Sequence, residues 1–534
     1  MKELEFDYIV VGAGASGCTV AARLAEDSAI TVGVFEAGGM DDDLILKIPG
    51  ANVVTGAAPA YNWAYETEPV HALGNRRLYW AQGRVVGGSS SINGMMYLRG
   101  YPSDYENWKA LGCDGWGYDD VLRCYRKSET NDRGESAVHG ANGPLQVARG
   151  APTAPVCDMF LESARSAGYR ISGDLNAEDG EAFGHVDLTV GRGRRSSAAS
   201  AYLHPALKRG NVTLVTRAQT LRVLIEKERA RGIEYVQDGE RRIARARREV
   251  ILSGGAVNSP QLLMLSGIGD AAELAHHGIK AIVDRPEVGR NLQNHPMYRL
   301  IHTVTKPVSA YSHARPLGAM KAGLQYVFNR SGVLSRGLFP TGGFLQADDG
   351  RIDTTIQVCM APAPVVRRKP GVLGILPKEH GFTLLLNHGS PFSRGSVRLK
   401  SADPLHHAAI FPDYFSDARD MGILVRGVQK VQRILAARPL AGILGREIQP
   451  LRPTRTADEI EADIRSTALT HYHAVGTCRM GADADAVVDP TLRVNGVDGL
   501  RVVDASIMPV LVNGNTYAAS VMIGERAAEL IRAA

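Results

Sequence analysis

No apolar run in this sequence is long enough to cross a bilayer, which argues against an integral membrane protein. The apolar stretch near the N-terminus is short and broken by glycines, so a secretory signal is not expected either. Cysteine is sparse: Cys18, Cys113, Cys124, Cys157, Cys359 and Cys478 are scattered without C-x-x-C spacing. That pattern suits a reducing compartment and offers neither a disulfide framework nor a zinc ligand set. Charge of one sign is lacking too. The formal net charge is only +5 over 534 residues, which implies neither nucleic acid nor an acidic partner. Basic clusters at 192–195 and 241–248 have no interleaved aromatic residues to stack on bases, so they read as solvated faces. Internal repeats and long low-complexity linkers are absent. A globular, cytoplasmic protein without a metal is the expectation, with peripheral membrane contact left open.

What is present is an ordinary composition, 44% hydrophobic and 22% charged, in a chain long enough for two intimately packed domains. Its most informative stretch is Phe6-Asp7-Tyr8-Ile9-Val10-Val11 leading into Gly12-Ala13-Gly14-Ala15-Ser16-Gly17, answered by a second apolar run ending at Glu36. This reads as strand, glycine turn, helix and second strand. Gly12 permits the tight turn, Gly14 lets the backbone approach a pyrophosphate, and Gly17 lets the helix lie close to the strand. The helix N-terminus favours phosphate, and an acid about twenty residues on can bind the ribose hydroxyls. Glu36 would repel a 2′-phosphate, so NADP is disfavoured. The motif alone leaves NAD and FAD open.

Two look-alikes are set aside. Gly83 and Gly88, followed by Ser89 and Ser90, resemble a P-loop but lack its lysine. The run 267–272 mimics a second dinucleotide turn but follows a helical segment at 261–266 instead of a strand. With one dinucleotide site, electron transfer between a flavin and NAD is not expected. Apolar runs at 249–255 and 500–504 extend the nucleotide-binding sheet. Runs at 355–360 and 383–386 suggest an inserted antiparallel sheet, and 518–531 has helical periodicity.

Four stretches together resemble the glucose–methanol–choline (GMC) oxidoreductase family of FAD enzymes, with its bacterial alcohol and choline dehydrogenase branch closest. They are the opening turn, the run 83–94 with Tyr97 and Gly100, the run 255–269, and His473 to Gly481 followed by 503–506 and 513–516. The resemblance implies an α/β fold: a Rossmann-like FAD-binding domain from 1–155, 195–295 and 464–534. A substrate-binding domain from 156–194 and 296–463 is inserted, with a mainly antiparallel sheet and flanking helices.

The resemblance also implies residue roles. Gly12, Gly14, Ala15, Ser16, Gly17, Glu36 and Ala37 would hold the ADP half of FAD. Gly88 and Ser89 would lie over the pyrophosphate, with Asn93, Gly94, Met95 and Met96 near the flavin ring. Trp80 and Arg84 would stand at the adenosine end, and the Val223 backbone would pair with adenine. Asp504, Ala505, Asn515 and Thr516 would meet the flavin. His473 matches the histidine that takes the hydroxyl proton while hydride passes to flavin N5, and Asn515 matches the residue that stabilises the developing alkoxide. The expected reaction is oxidation of a primary, neutral alcohol to the aldehyde, with oxygen, a quinone or another carrier as acceptor. A flavin-containing lyase on the same fold is the alternative. Ile92 replaces a histidine that bonds covalently to flavin in some members, so FAD should be non-covalent. Met297 replaces a glutamate that choline-specific oxidases set against the trimethylammonium group. Asn294 replaces an aspartate and reads as structural. His471 is expected in the substrate pocket, beside His473.

Overall fold

A computed structural model describes residues 3–56, 58–177, 179–369, 372–375 and 379–534. Continuous apolar sequence marks strands covered on both faces, and β1 (Leu4–Val11) is buried from Phe6 onward. It turns at Gly12 into α1 (Ala15–Leu24) and returns as β2 (Val32–Phe35), parallel to β1. Beyond β2 lies β3 (Val212–Val215), also parallel. Next come β4 (Ala218–Glu226), β5 (Arg229–Gln237) and β6 (Glu240–Leu252), giving the spatial order β3-β2-β1-β6-β5-β4. The end of β6 runs parallel to β1 on one side and to Leu500–Val502 on the other. Residues far apart in sequence thus end at one edge, where a doubly wound sheet binds its ligand.

The 241–248 cluster lies mostly on the outer part of β6, where Arg245 pairs with Glu226 at 2.7 Å and Arg247 with Asp7 at 3.0 Å. Arg247 holds the Asp7 carboxyl well below the usual carboxylate range. The reading of this stretch as a solvated face holds.

After α2 (Gly255–Leu265) the chain builds a second sheet from β7 (Pro296–Val304), β8 (Thr341–Gln346), β9 (Thr355–Ala361), β10 (Gly381–His388) and β11 (Leu444–Gln449). Between β7 and β8 runs α3 (Pro316–Asn329), and between β10 and β11 runs α4 (Ala418–Ala436). The order is β11-β7-β10-β9-β8 with Ala182–His185 at the far edge, all antiparallel. Leu469–Thr470, just beyond position 463, also pairs with β7.

Side chains alternate across this sheet. Tyr298, Leu300, Val358, Leu384 and Leu386 share a core with Leu424, Val428 and Val431 of α4. Met297, Cys359 and Leu385 face the other way, towards Met95 and Met96. The last helix, α5 (Thr516–Arg532), closes on α1: a Cβ on Gly524 would stand 2.7 Å from Thr19 Cβ, and Ser16 Oγ donates to the Ser520 carbonyl at 2.7 Å. No helix among the described residues is long and apolar enough to cross a membrane.

Candidate active site

One cavity is lined by residues of both sheets. Gly12, Gly14, Ala15, Ser16, Glu36 and Ala37 line one end, and His471, His473 and Asn515 line the other. The three glycines of the turn have different reasons to be glycine. Gly12 has φ +103° and would place a Cβ 2.4 Å from the Ser253 carbonyl oxygen. A Cβ on Gly17 would lie 2.0 Å from the Gly12 carbonyl oxygen. Gly14 meets no protein atom closer than 3.9 Å, so the protein itself would accept a side chain there. The space its missing side chain leaves opens on the cavity, as close approach of a pyrophosphate requires.

The second glycine loop lies directly over the first. Gly87 N–H donates to the Ala13 carbonyl at 2.7 Å, and a Cβ on Gly88 would stand 2.8 Å from Gly14 Cα. The Glu36 carboxylate accepts the Ala13 N–H at 2.9 Å and the Gly38 N–H at 2.7 Å. Burial pushes its carboxyl up to about 7 against these two amides. Ser89, Asn93, Gly94, Met95, Met96 and Trp80 also line the cavity, as do Asp504, Ala505 and Thr516. Asp504 is committed to structure: it accepts from Gly255 N–H at 2.8 Å, Ser506 N–H at 2.8 Å and the Ser259 hydroxyl at 2.5 Å.

Two residues expected at the adenosine end do not themselves line the cavity. Arg84 turns its guanidinium over the ring of Trp63, which does line it, at 4.6 Å. Val223 is also off the wall, because its N–H already donates to Ser266 Oγ at 2.8 Å. Ala218, Gln219 and Thr220, earlier on β4, form that part of the wall instead.

At the other end His473 is fixed through both ring nitrogens. His295 Nε2 lies 2.8 Å from the Gly389 carbonyl oxygen, so that nitrogen carries the proton. Burial, with His471 and His388 nearby, pushes His295 down to about 3, leaving the ring neutral and its Nδ1 an acceptor. His473 Nδ1, 2.9 Å away, must then donate to it. His473 Nε2 is therefore an acceptor, and it takes an N–H of the Asn515 amide at 3.1 Å. Asn515 is oriented in turn: its oxygen accepts from Gln357 at 3.0 Å, whose own oxygen accepts from Asn387 at 3.3 Å. Burial, then the neighbouring His471 and His295, holds His473 well below its ordinary range. At neutral pH it is a free base.

Asn294 is structural, as expected: it accepts the His473 backbone N–H at 2.8 Å and donates to Thr470 Oγ1 at 2.7 Å. His471 and His473 do not sit on a regular strand, because Tyr472 between them has φ +65°. Their rings still lie 4.5 Å apart, and both face the cavity. Burial pushes His471 down to about 4, and its Nδ1 has no hydrogen-bond partner among the described residues. His295, His471 and His473 offer nitrogens within 4.8 Å of one another, a grouping that includes His295 and not Cys478. Cys478 is buried beside Asp504 and Ser506.

Sequence reading assigned no role to His295, Gln357, Asn387 or Arg299. Gln357 and Asn387 could have been suspected as the one amide side chain in each of the otherwise mostly apolar strands β9 and β10. Met297 and Arg299 alternate on β7, and both line the cavity. A further buried cation, Arg195, donates to the Asn93 carbonyl at 2.8 Å and the Asn93 side chain at 2.7 Å, holding the loop under the cavity. It stands in the 192–195 cluster, so that cluster is not wholly a solvated face.

A dinucleotide turn and a histidine base on the wall of one cavity define a dinucleotide-dependent oxidoreductase. The chain belongs to the GMC oxidoreductase family, whose sequence models match residues 6–297 and 391–524. It is 42% identical to the mitochondrial choline dehydrogenase of Homo sapiens, over 99% of this chain and 90% of that one. It is 41% identical to the oxygen-dependent choline dehydrogenase of Sinorhizobium medicae, over 99% and 96% of the two chains. Pyridoxine 4-oxidase from Mesorbium loti superposes with a TM-score of 0.88 at 32% identity, covering 99% of both chains. The protein is therefore an FAD-dependent enzyme acting on CH–OH donors. The open face of Gly14 and the buried carboxylate of Glu36 fit the ADP half of that cofactor.

Proposed function

We propose that the protein oxidises a primary, electrically neutral alcohol to its aldehyde. The observation that carries this reading is the unprotonated His473 Nε2, which lines the cavity with Asn515 and accepts from its amide N–H. His473 takes the hydroxyl proton, and His295 holds the base in the required tautomer. The Asn515 N–H group donates to the developing alkoxide, which a preorganised donor stabilises without reorienting. Bound FAD supplies the hydride acceptor at N5. Ile92 lines the cavity and carries no nucleophile, which supports non-covalent retention. Acid precipitation is expected to release all FAD into the supernatant; flavin remaining in the pellet would contradict this.

The acids on the cavity wall are Glu36 and Asp504, both bound by backbone amides. Met297 and Arg299 of β7 line the same cavity, so this stretch of wall brings no carboxylate to a quaternary ammonium. A panel of benzylic and medium-chain primary alcohols is expected to outperform choline by at least about tenfold in kcat/KM. Choline as the preferred substrate would overturn the neutral-alcohol reading.

Because His473 is held low, its base form persists through neutral pH, and activity is expected to fall only as acid protonates it. Removing His471 takes away a neighbouring positive charge and raises the pKa of His473. The acid limb of the pH–rate profile should therefore move to higher pH in His471→Ala. An unchanged limb would remove His471 from this role.

A further inference from the structure

The helix α3 (Pro316–Asn329) carries its apolar face outward. Ala322 and Tyr326 are buried against the protein. Leu317, Met320, Leu324, Val327 and Phe328 are between 52% and 78% exposed. At 100° per residue these five fall on one stripe along a helix about 21 Å long. Scattered exposed hydrophobics are ordinary, but a contiguous apolar stripe marks an interaction surface.

Cations frame the stripe. Arg315, Lys321 and Arg330 are exposed on or beside the helix. A second strip of charge joins them: Gly193 packs so tightly on Arg330 that a Cβ there would lie 2.2 Å from its carbonyl oxygen, which brings exposed Arg192 and Arg194 alongside. No acidic residue occurs in the sequence from 288 to 347. The exposed part of the 192–195 cluster thus acquires a setting that its sequence did not suggest.

We propose that α3 docks on an anionic lipid bilayer, lying in the plane of the headgroups. Its apolar stripe enters the acyl boundary while Arg315, Lys321, Arg330, Arg192 and Arg194 meet lipid phosphates. Charge decides between this occupant and a second copy of the chain. A two-fold contact would bring the same cations face to face with no acid from the 288–347 stretch to offset them, whereas anionic lipid complements all five. The location also suits the site. The turn Val333–Ser335 that follows the helix packs on Pro49–Ala51, where a Cβ on Gly50 would lie 2.9 Å from Leu334. Asn52 and Phe339, just beyond these two segments, line the cavity. Docking through α3 therefore brings one wall of the cavity close to the membrane.

Flotation of the flavin-loaded enzyme with two kinds of vesicle tests this: phosphatidylcholine alone, and phosphatidylcholine mixed with phosphatidylglycerol. The expected result is co-flotation with the mixed vesicles, weakened by salt, and little with phosphatidylcholine alone. The pair Leu324→Asp and Phe328→Asp, made together, should reduce flotation at least about tenfold. Lys321→Glu with Arg330→Glu should do the same without touching apolar surface. Turnover with a soluble dye acceptor should stay within about twofold of wild type in both, showing that the fold is intact. Wild-type enzyme that floats with neither vesicle would overturn the proposal. So would variants that float equally well, or a dimer in solution that the two aspartates dissolve.

Discussion

Replacing His473 by alanine is expected to give a flavin-loaded protein whose turnover falls by about 10²–10⁴, the usual worth of a positioned base. The cofactor should stay because its ADP half is held far along the cavity, by the turn at Gly12 to Gly17 and by Glu36. Turnover should fall because His473 Nε2 is a base fixed in the unprotonated tautomer at the substrate end. The comparison is informative only if flavin content is measured by absorbance in both proteins. Near-normal turnover in a flavin-replete variant would remove His473 from the chemistry.

The opposite dissociation is expected at the other end of the cavity. Gly14→Val should fold, because Gly14 has an ordinary φ of −79° and no protein atom within 3.9 Å of its Cβ position. It should nevertheless bind FAD at least about 100-fold more weakly, a loss of about 2.7 kcal/mol, because the new side chain fills the pyrophosphate's space. A titration of apoprotein with FAD measures this directly. Gly17→Val serves as the contrast, since its Cβ would collide with the Gly12 carbonyl oxygen and disturb the fold itself. Equal FAD affinity in Gly14→Val and wild type would show that the cofactor lies elsewhere.

These two residues also mark how far the sequence could be read. The turn was legible because its chemistry is local: a strand, three glycines and an acid lie within one stretch, and the fold returns them as read. His473 and Asn515 were legible through the family resemblance. The partners that make His473 a base were not, because His295, Gln357 and Asn387 come from the segment entering β7, from β9 and from β10. Only sheet pairing brings them together. The outward face of α3 was equally hidden, because an amphipathic pattern does not say which side meets the protein.

The most direct test is to mix the flavin-loaded enzyme with a primary alcohol in the absence of air and follow the flavin absorbance. Bleaching in the wild type, with its loss or marked slowing in His473→Ala, is the predicted result. Flavin that stays oxidised while the alcohol is consumed would contradict the account and point to lyase chemistry on the same scaffold.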